Sequence, residues 1–408
     1  MDNPQSGYIK FSGSESFLPQ EEMLEVARSK AKLTIGVPRE LDPNENRVSL
    51  VPEAVALLIA NGHRVLIENQ AGKSAHFENT EYSEVGAEIV YSHDEVFKAD
   101  VICKVSPFSC EEIEMMTPKQ TIISTLHFTS QNEGYFRKLI SKKVTAIALE
   151  YIKDKTKTFT ILRSISEIAG NTSVLIAGEY LSNTQYGKGI MFGGLSGITP
   201  TEVVIIGAGT VGESAARAAM GLGAYVKVFD NSIYKLRRLQ NNLNERIFTS
   251  IIHPKVLTKA LRTAHVVIGA VHTSKGRTPV IVTEEMIREM KQGSVIIDVS
   301  IDQGGCVETS HPTTHSNPVF QKHGVTHYCV PNISSKVPHT ASYALSNYFG
   351  PMLLSIGESG GVSDMLKTDY GLRNGVYLYN GILANKYVGE YFNLPSQDID
   401  LLIAAFMH

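Results

Sequence analysis

The chain has 408 residues, of which 43% are hydrophobic and 19% are charged, and its formal net charge at pH 7 is -3. This composition is typical of a globular protein and excludes a fibrous or largely disordered chain. The nearly balanced charge gives no electrostatic reason to bind nucleic acid or an anionic membrane, so we expect a small-molecule partner. Because a single core stops growing near roughly 250 to 300 residues, the length predicts two domains.

Residues 1–32 form a polar N-terminal extension, in which residues 21–30 (EEMLEVARSK) predict an amphipathic surface or interface helix. The start lacks the basic and apolar regions of a signal peptide, and no run of about 18 uncharged apolar residues predicts a membrane span. The four cysteines lack CxxC spacing and are expected to be reduced thiols. We therefore expect a cytoplasmic protein.

From Leu33 onward, short apolar runs alternate with segments of helical period. The runs LTIGVP, HRVLIEN, DVICKV, TIISTLH and VTAIALE predict the strands of a mostly parallel α/β sheet. Residues 166–185 predict a helix that leads into a glycine-rich linker at 187–200. Two later runs, HVVIGAV and SVIIDVS, predict further buried strands. The helical pattern after about Pro338 does not decide which of the two domains that segment joins.

A dinucleotide fingerprint lies between the linker and these later strands. Gly207, Gly209 and Gly212 follow a predicted strand and precede an alanine-rich helix. Glycines there let backbone amides approach a pyrophosphate at the helix N-terminus. Asp230 ends the next strand, where a carboxylate binds ribose hydroxyls and would repel a 2′-phosphate. The pattern therefore predicts a Rossmann-type domain that binds NAD rather than NADP.

Beyond the fingerprint, the chain from Leu33 onward resembles the alanine dehydrogenases, which share ancestry with the soluble NAD-binding part of proton-translocating transhydrogenases. The matching stretches include IGVPRELDPNENRVSLVPEAV, NGHRVLIE, TLHF, SEIAGN and GSVIIDVSIDQGGCVETSHPTTH. The resemblance implies NAD-dependent deamination of L-alanine to pyruvate and ammonium, in a homo-oligomer that is commonly a hexamer. It also implies an α/β fold in which an NAD-binding Rossmann domain (161–338) is inserted in a discontinuous, Rossmann-like catalytic domain (1–160 and 339–408).

By motif position, the resemblance also implies roles for individual residues. Arg47 would hold the substrate carboxylate, His127 would be the general acid and base, and Asp302 would handle water or ammonia at the reacting carbon. The implied NAD contacts are Ser166, Asp230, Lys235 and Asn332. Without the resemblance, His127 would be a structural histidine, Arg47 a surface arginine and Asp302 a turn aspartate.

Two positions depart from the family pattern. Alanine dehydrogenases usually carry KVK before the TLHF segment, with the second lysine on the substrate, and Ser106 stands in that place here. Because strand side chains alternate, Lys104 faces the same way as Ser106, and we predict that Lys104 contacts the substrate instead. Asn171 stands where the family often has an arginine, so the contacts that this position makes with cofactor or substrate are expected to differ from those of the family.

Two other functions remain open from the sequence. One is the soluble NAD-binding subunit of a transhydrogenase, although His127 and Asp302 stand where that group usually has a non-ionisable side chain and an amide. The other is a catalytically idle NAD-binding relative, which only the missing lysine at position 106 supports. No metal is expected, because the histidines do not pair with cysteines or carboxylates at ligand spacing.

Overall fold

The computed structural model describes residues 30–273 and 277–406, so nearly all of the N-terminal helix predicted at 21–30 lies outside the described residues. The strands are β1 Thr34–Val37, β2 Arg64–Glu68, β3 Glu88–Val90, β4 Val101–Cys103, β5 Thr121–Ser124, β6 Thr145–Ala148, β7 Glu202–Ile206, β8 Tyr225–Phe229, β9 Phe248–Ser250, β10 Val266–Gly269, β11 Val295–Asp298, β12 Val319–Lys322, β13 Val325–Tyr328, β14 Val376–Tyr379 and β15 Ile382–Leu383. The α-helices are α1 Pro52–Ala60, α2 Asn79–Glu84, α3 His93–Val96, α4 Cys110–Met115, α5 Glu133–Lys142, α6 Thr160–Ser182, α7 Thr210–Gly221, α8 Ile233–Leu243, α9 Pro254–Thr263, α10 Glu284–Arg288, α11 Pro338–Glu358, α12 Val362–Thr368, α13 Tyr370–Arg373, α14 Lys386–Phe392 and α15 Ile399–Ala405.

The first sheet has eight strands in the order β15-β14-β6-β5-β4-β1-β2-β3. Strands β1 to β6 pair in parallel, as their alternation with helices predicts, while β14 and β15 are antiparallel additions. The chain therefore returns to its first sheet after α11. Leu345 and Phe349 of α11 pack in one core with Ile35 of β1 and Val55 of α1, which settles the question that the helical pattern after Pro338 left open.

The second sheet has seven strands in the order β12-β13-β11-β10-β7-β8-β9, and all of them except β12 pair in parallel. The strand order reverses at β7, between β8 on one side and β10 on the other. In such sheets ligands bind in the crevice at the carboxyl ends of the strands beside the reversal. The two sheets confirm the predicted α/β fold class with an inserted Rossmann-type domain. The domain boundaries at 160/161 and 338/339 stay a prediction.

Helix α6 connects the two sheets and packs on α7 of the second one. A Cβ atom added to Gly170 of α6 would lie 2.4 Å from the carbonyl oxygen of Val211, so only glycine allows this approach. The four cysteines are free thiols, of which Cys110 is exposed and the others are buried. In the described ranges, no helix has both the length and the apolar character to cross a bilayer.

Candidate active site

The candidate site lies where loops from the carboxyl ends of both sheets meet. Arg47 is on the loop after β1, and its Nη1 donates a hydrogen bond to Ser334 Oγ, after β13, at 3.0 Å. From the same two loops, Asn332 Nδ2 donates to Glu45 Oε2 at 2.8 Å. The parallel topology places both loops at carboxyl edges, so the interdomain cleft forms at the strand ends where α/β proteins bind ligands.

Arg47 is buried, with only 6% of its surface exposed, and it is paired with Glu45. Its Nε and Nη2 donate to the two carboxylate oxygens of Glu45 at 2.7 and 2.6 Å, which is a bidentate pair. Burial alone would raise the pKa of Glu45, but the charge and hydrogen bonds of Arg47 outweigh burial and lower it. These bonds and the Ser334 bond use three of the five guanidinium N–H groups, so two are available for a substrate carboxylate.

His127 follows β5 and is exposed in the cleft, which differs from the surroundings expected for a buried structural histidine. Its backbone has φ 44°, in the left-handed region that non-glycine residues rarely adopt. The amides of Leu126 and His127 both donate to Glu150 Oε1, at 2.8 and 3.0 Å, and fix this conformation. No described residue forms a hydrogen bond with the imidazole, so its nitrogens are available to a substrate.

Asp302 lies in the 3-10 turn Val299–Gln303 that follows β11. Its Oδ1 accepts the backbone N–H of Asn332 at 2.7 Å. Removal of the carboxyl group from bulk water raises its pKa, an effect that the Asn332 hydrogen bond and the charges of His127 and Arg47 partly offset. Asp302 is therefore within electrostatic reach of both Arg47 and His127, although the three residues come from separate loops.

The glycine turn after β7 has the geometry that a dinucleotide needs. A Cβ atom on Gly207, at φ 110°, would lie 2.3 Å from Ala270 O, and one on Gly212 would lie 1.9 Å from Gly207 O. These two glycines are required for packing. At Gly209, the N-cap of α7, a Cβ atom would meet nothing within 4 Å, so the space above the helix N-terminus is open to a phosphate. The residues therefore fit a bound pyrophosphate.

Asp230 closes this turn at the end of β8. Its Oδ2 accepts the N–H of Ala208 at 2.8 Å, and its Oδ1 accepts the N–H of Ser232 at 2.7 Å. Each carboxylate oxygen keeps a second lone pair for a ribose hydroxyl. Lys235 lies in the first turn of α8, five residues after Asp230. Ser166 lies on α6, one helical turn before Gly170, where α6 contacts α7.

Lys104, like Arg47, is buried and paired with a glutamate, but its partner belongs to helix α4. It is 2% exposed, and its Nζ donates to both oxygens of Glu112 at 2.7 Å. Glu40 Oε2 is 4.0 Å from the same ammonium group and also accepts the hydroxyl of Ser106. The side chains of Lys104 and Ser106 thus share a face and a partner. That Lys104 contacts the substrate stays a prediction.

Several contacts of the site were not predicted from the sequence. Glu45 lies inside the quoted NENR motif, two residues before Arg47, so its charge beside an arginine was a usable signal. Glu40 and Glu150 gave none, because their partners are brought to them by the fold. Asn171 donates to the Glu167 carbonyl at 2.9 Å within its own helix. Across residues 30–273 and 277–406, no cluster of three or more histidine, cysteine or acidic residues has metal-binding geometry.

Comparisons with known proteins agree with this geometry. Residues 36–169 match the family model "Alanine dehydrogenase/PNT, N-terminal domain", and residues 173–386 match "Alanine dehydrogenase/PNT, C-terminal domain". The chain is 41% identical over 350 residues to the alanine dehydrogenase of Bacillus subtilis, covering 86% of this chain and 92% of that protein. It is 37% identical over 369 residues to the alanine dehydrogenase of Staphylococcus saprophyticus, covering 90% of this chain and 99% of that protein.

Solved structures show the same relationship. A structure of L-alanine dehydrogenase superposes with a TM-score of 0.82 at 35% identity, covering 88% of this chain and 99% of that one. A transhydrogenase structure from Sinorhizobium meliloti superposes with a TM-score of 0.74 at 22% identity, covering 87% of this chain and 99% of that one, and shows a shared fold. The predicted resemblance is confirmed, and the chain belongs to the alanine dehydrogenase/PNT family.

Proposed function

We propose that this protein is an oxidoreductase that deaminates L-alanine to pyruvate and ammonium with NAD, and that catalyses the reverse reductive amination. The observation that carries the proposal is that Asp302, on a loop of the second sheet, lies within electrostatic reach of Arg47 and His127, on loops of the first sheet. The relatives named as alanine dehydrogenases support the choice of substrate. The proposal includes a cytoplasmic homo-oligomer, a hexamer as in the family resemblance, with the NAD-binding unit at 161–338.

NAD would be held by the second sheet and would supply the hydride acceptor. Its pyrophosphate fits the open space over Gly209 at the N-terminus of α7, where unpaired N–H groups and the helix dipole favour negative charge. Asp230 would accept from the ribose hydroxyls. We assign Ser166, Lys235 and Asn332 to further contacts with the cofactor. Asn332 supports this assignment because it bridges Asp302 and Glu45 across the cleft.

The first sheet and the Asp302 turn would hold and deprotonate the substrate. The two remaining N–H groups of Arg47 suit a carboxylate. His127 has a free imidazole in the cleft and would take the proton that the substrate ammonium group must lose before the hydride leaves Cα. Asp302, with its pKa raised, would exchange a proton with the water that attacks the imine carbon. The sequence predicts a contact between Lys104 and the substrate, whereas the ammonium group is paired with Glu112.

An absorbance assay of NADH formation tests the proposal. L-Alanine, glycine, L-serine and larger amino acids are each supplied with NAD, and pyruvate with ammonium and NADH is used for the reverse direction. We expect L-alanine to give the highest kcat/KM and pyruvate to consume NADH only when ammonium is present. If NADH binds but no amino acid supports turnover, the protein is an idle NAD-binding relative and the proposal is wrong.

Asp230→Ala is expected to weaken NADH binding by about tenfold and to strengthen NADPH binding, because the change removes a ribose acceptor and the charge that repels a 2′-phosphate. One lost hydrogen bond to a charged group corresponds to about 1.5 kcal/mol or more. Titration of both cofactors by fluorescence measures the two affinities. Asp364→Ala, an exposed carboxylate on α12, is the control. Equal affinity of the wild type for NADH and NADPH would contradict the role of Asp230.

A further inference from the structure

A row of alternating charges runs from Glu68, at the end of β2, toward the candidate substrate site. His93 Nδ1 is 2.7 Å from Glu68 Oε2, and His93 Nε2 is 3.4 Å from Glu112 Oε1. Glu112 pairs with Lys104 at 2.7 Å, and the Lys104 ammonium is 4.0 Å from Glu40 Oε2. The row therefore ends at Glu40. None of its five members has a role in the proposed reaction except Lys104.

The inner members of this row are shielded from water. Side-chain exposure is 1% for Glu112, 2% for Lys104 and 7% for both Glu40 and Glu68, compared with 20% for His93. Burying charges costs free energy that a pair recovers only with good geometry and further hydrogen bonds, so such a row is weak evidence for stability. Its inner end, Glu40, is the member whose charge acts on Arg47, where the substrate carboxylate is proposed to bind.

Charged groups on two elements face Glu40. From the end of β4, Lys104 lies beside it and Ser106 donates its hydroxyl, while from the loop after β1 Glu45 and Arg47 act on it electrostatically. Lys104 is in turn held by Glu112 of α4, with His93 of α3 behind it. A carboxylate that binds Arg47 would become the fourth negative charge around this guanidinium, after Glu45, Glu40 and Asp302. That repulsion is smallest when Glu40 is protonated.

We propose that Glu40 takes up a proton when a substrate carboxylate binds at Arg47, and that Lys104, held by Glu112, acts on the substrate through Glu40 rather than by touching it. This inference rests on the proposed function, because it takes the carboxylate site from it. Glu40 is a positioning residue in this role: its charge sets how strongly Arg47 attracts an anion. In this role Lys104 does not touch the substrate and acts on it only through the charge of Glu40.

The ionisation of Glu40 lies in the range where such coupling is measurable. Burial raises the pKa of Glu40 to about 7, against the lowering effect of Lys104. Below pH 7 the free protein already carries the proton, so pyruvate affinity is constant. As pH rises above 7, Glu40 ionises and each bound pyruvate must bring in a proton, so affinity falls by up to about tenfold per pH unit. The affinity stops falling once the pH exceeds the higher pKa that Glu40 has in the pyruvate complex.

The test measures pyruvate binding to the NADH complex in ammonium-free buffer from pH 5.5 to 9, together with proton uptake from titration calorimetry in buffers of different ionisation enthalpy. We expect wild type to take up close to one proton per pyruvate near pH 8. Glu40→Gln should bind pyruvate with an affinity that changes less than about threefold over this range and should lose the uptake. Glu111→Gln, an exposed neighbour of Glu112 on α4, should behave as wild type.

Lys104→Met separates action through Glu40 from direct contact. Without the ammonium group, the pKa of Glu40 rises further, so the fall in affinity should move to higher pH while the affinity at pH 6 stays within about twofold. A loss of affinity at every pH would mean that Lys104 touches the substrate, and would overturn that half of the inference. If Lys104→Met does not fold, Glu112→Gln is the second variant. Its ammonium group is freed from Glu112 and stabilises ionised Glu40 more strongly, so the decrease in pyruvate affinity should occur at lower pH.

The remaining outcomes are also decisive. Proton uptake that persists in Glu40→Gln and disappears in His127→Gln would assign the proton to His127 and overturn the inference, as would the absence of pyruvate binding at all pH values. The proposed function is judged separately, by NADH formation from L-alanine. An active enzyme with no Glu40-dependent uptake contradicts only this inference, and Glu40-dependent uptake in a protein without turnover contradicts only the proposed function.

Discussion

His127→Gln and Asp302→Asn are each expected to lower kcat by about 10²- to 10⁴-fold while leaving NADH affinity within about twofold of wild type. Both changes remove a group that exchanges protons and keep a side chain of similar size. Asn at 302 retains an oxygen that can accept the Asn332 amide at 2.7 Å, and Gln at 127 leaves the backbone bond to Glu150 at 3.0 Å in place. The loss should therefore concern the chemistry and not the fold.

Steady-state turnover in both directions and fluorescence titration of NADH measure these two quantities. His76→Gln is a matched control, because His76 is also an exposed histidine with a left-handed backbone, at φ 63°, and lies outside the site. Full activity of either site variant would mean that the residue replaced in it has only a structural role. Loss of NADH binding in both variants would instead place them in the cofactor site.

Much of the fold follows from local sequence pattern. Apolar runs alternate with helical segments, and parallel pairing then requires helices as crossovers, so most strands of the two sheets are predictable. The three-residue strands β3 and β9 do not follow from any of the predicted runs. Which sheet the chain joins after Pro338 is not predictable, because an amphipathic helix can cover either sheet equally well. Contacts between distant parts of the chain decide it: α11 packs in the core with β1 and α1, and β14 pairs with β6 more than 200 positions away.

The cofactor half of the site is more predictable than the substrate half for the same reason. Gly207, Gly212 and Asp230 act within one βαβ unit, so their spacing alone specifies the turn. Arg47, His127 and Asp302 belong to loops after β1, β5 and β11, and no local pattern indicates that those loops meet. The family resemblance supplied these three residues.

The ion-pair partner of Lys104 could not be predicted from the family resemblance. Ser106 and Lys104 both approach Glu40, while the contact of Lys104 with the substrate stays a prediction. Glu112 reaches the ammonium group only through the packing of the short helix α4 beside the end of β4. A charged residue on the right face can be bound to another charge, and sequence spacing does not reveal that partner.

Arg47→Met should abolish measurable turnover and destabilise the protein, and the two effects have different causes. Turnover is lost because the substrate carboxylate has no bidentate partner. Stability is lost because Glu45, whose side chain is 3% exposed, keeps a buried charge without its cation, and breaking a buried pair costs about 3–5 kcal/mol. Urea unfolding followed by circular dichroism should therefore show a midpoint well below that of wild type.

The double variant Arg47→Met/Glu45→Gln separates the two causes. Replacing Glu45 by glutamine removes the unpaired charge and keeps an oxygen that can accept the 2.8 Å bond from Asn332 Nδ2, so most of the lost stability should return. Turnover should stay absent, because the site still lacks the guanidinium. Arg47→Lys should lie between the two, since a lysine supplies the charge without the planar fork. A double variant that recovers both stability and turnover would mean that Arg47 only neutralises Glu45, and the carboxylate of the substrate would then need another partner.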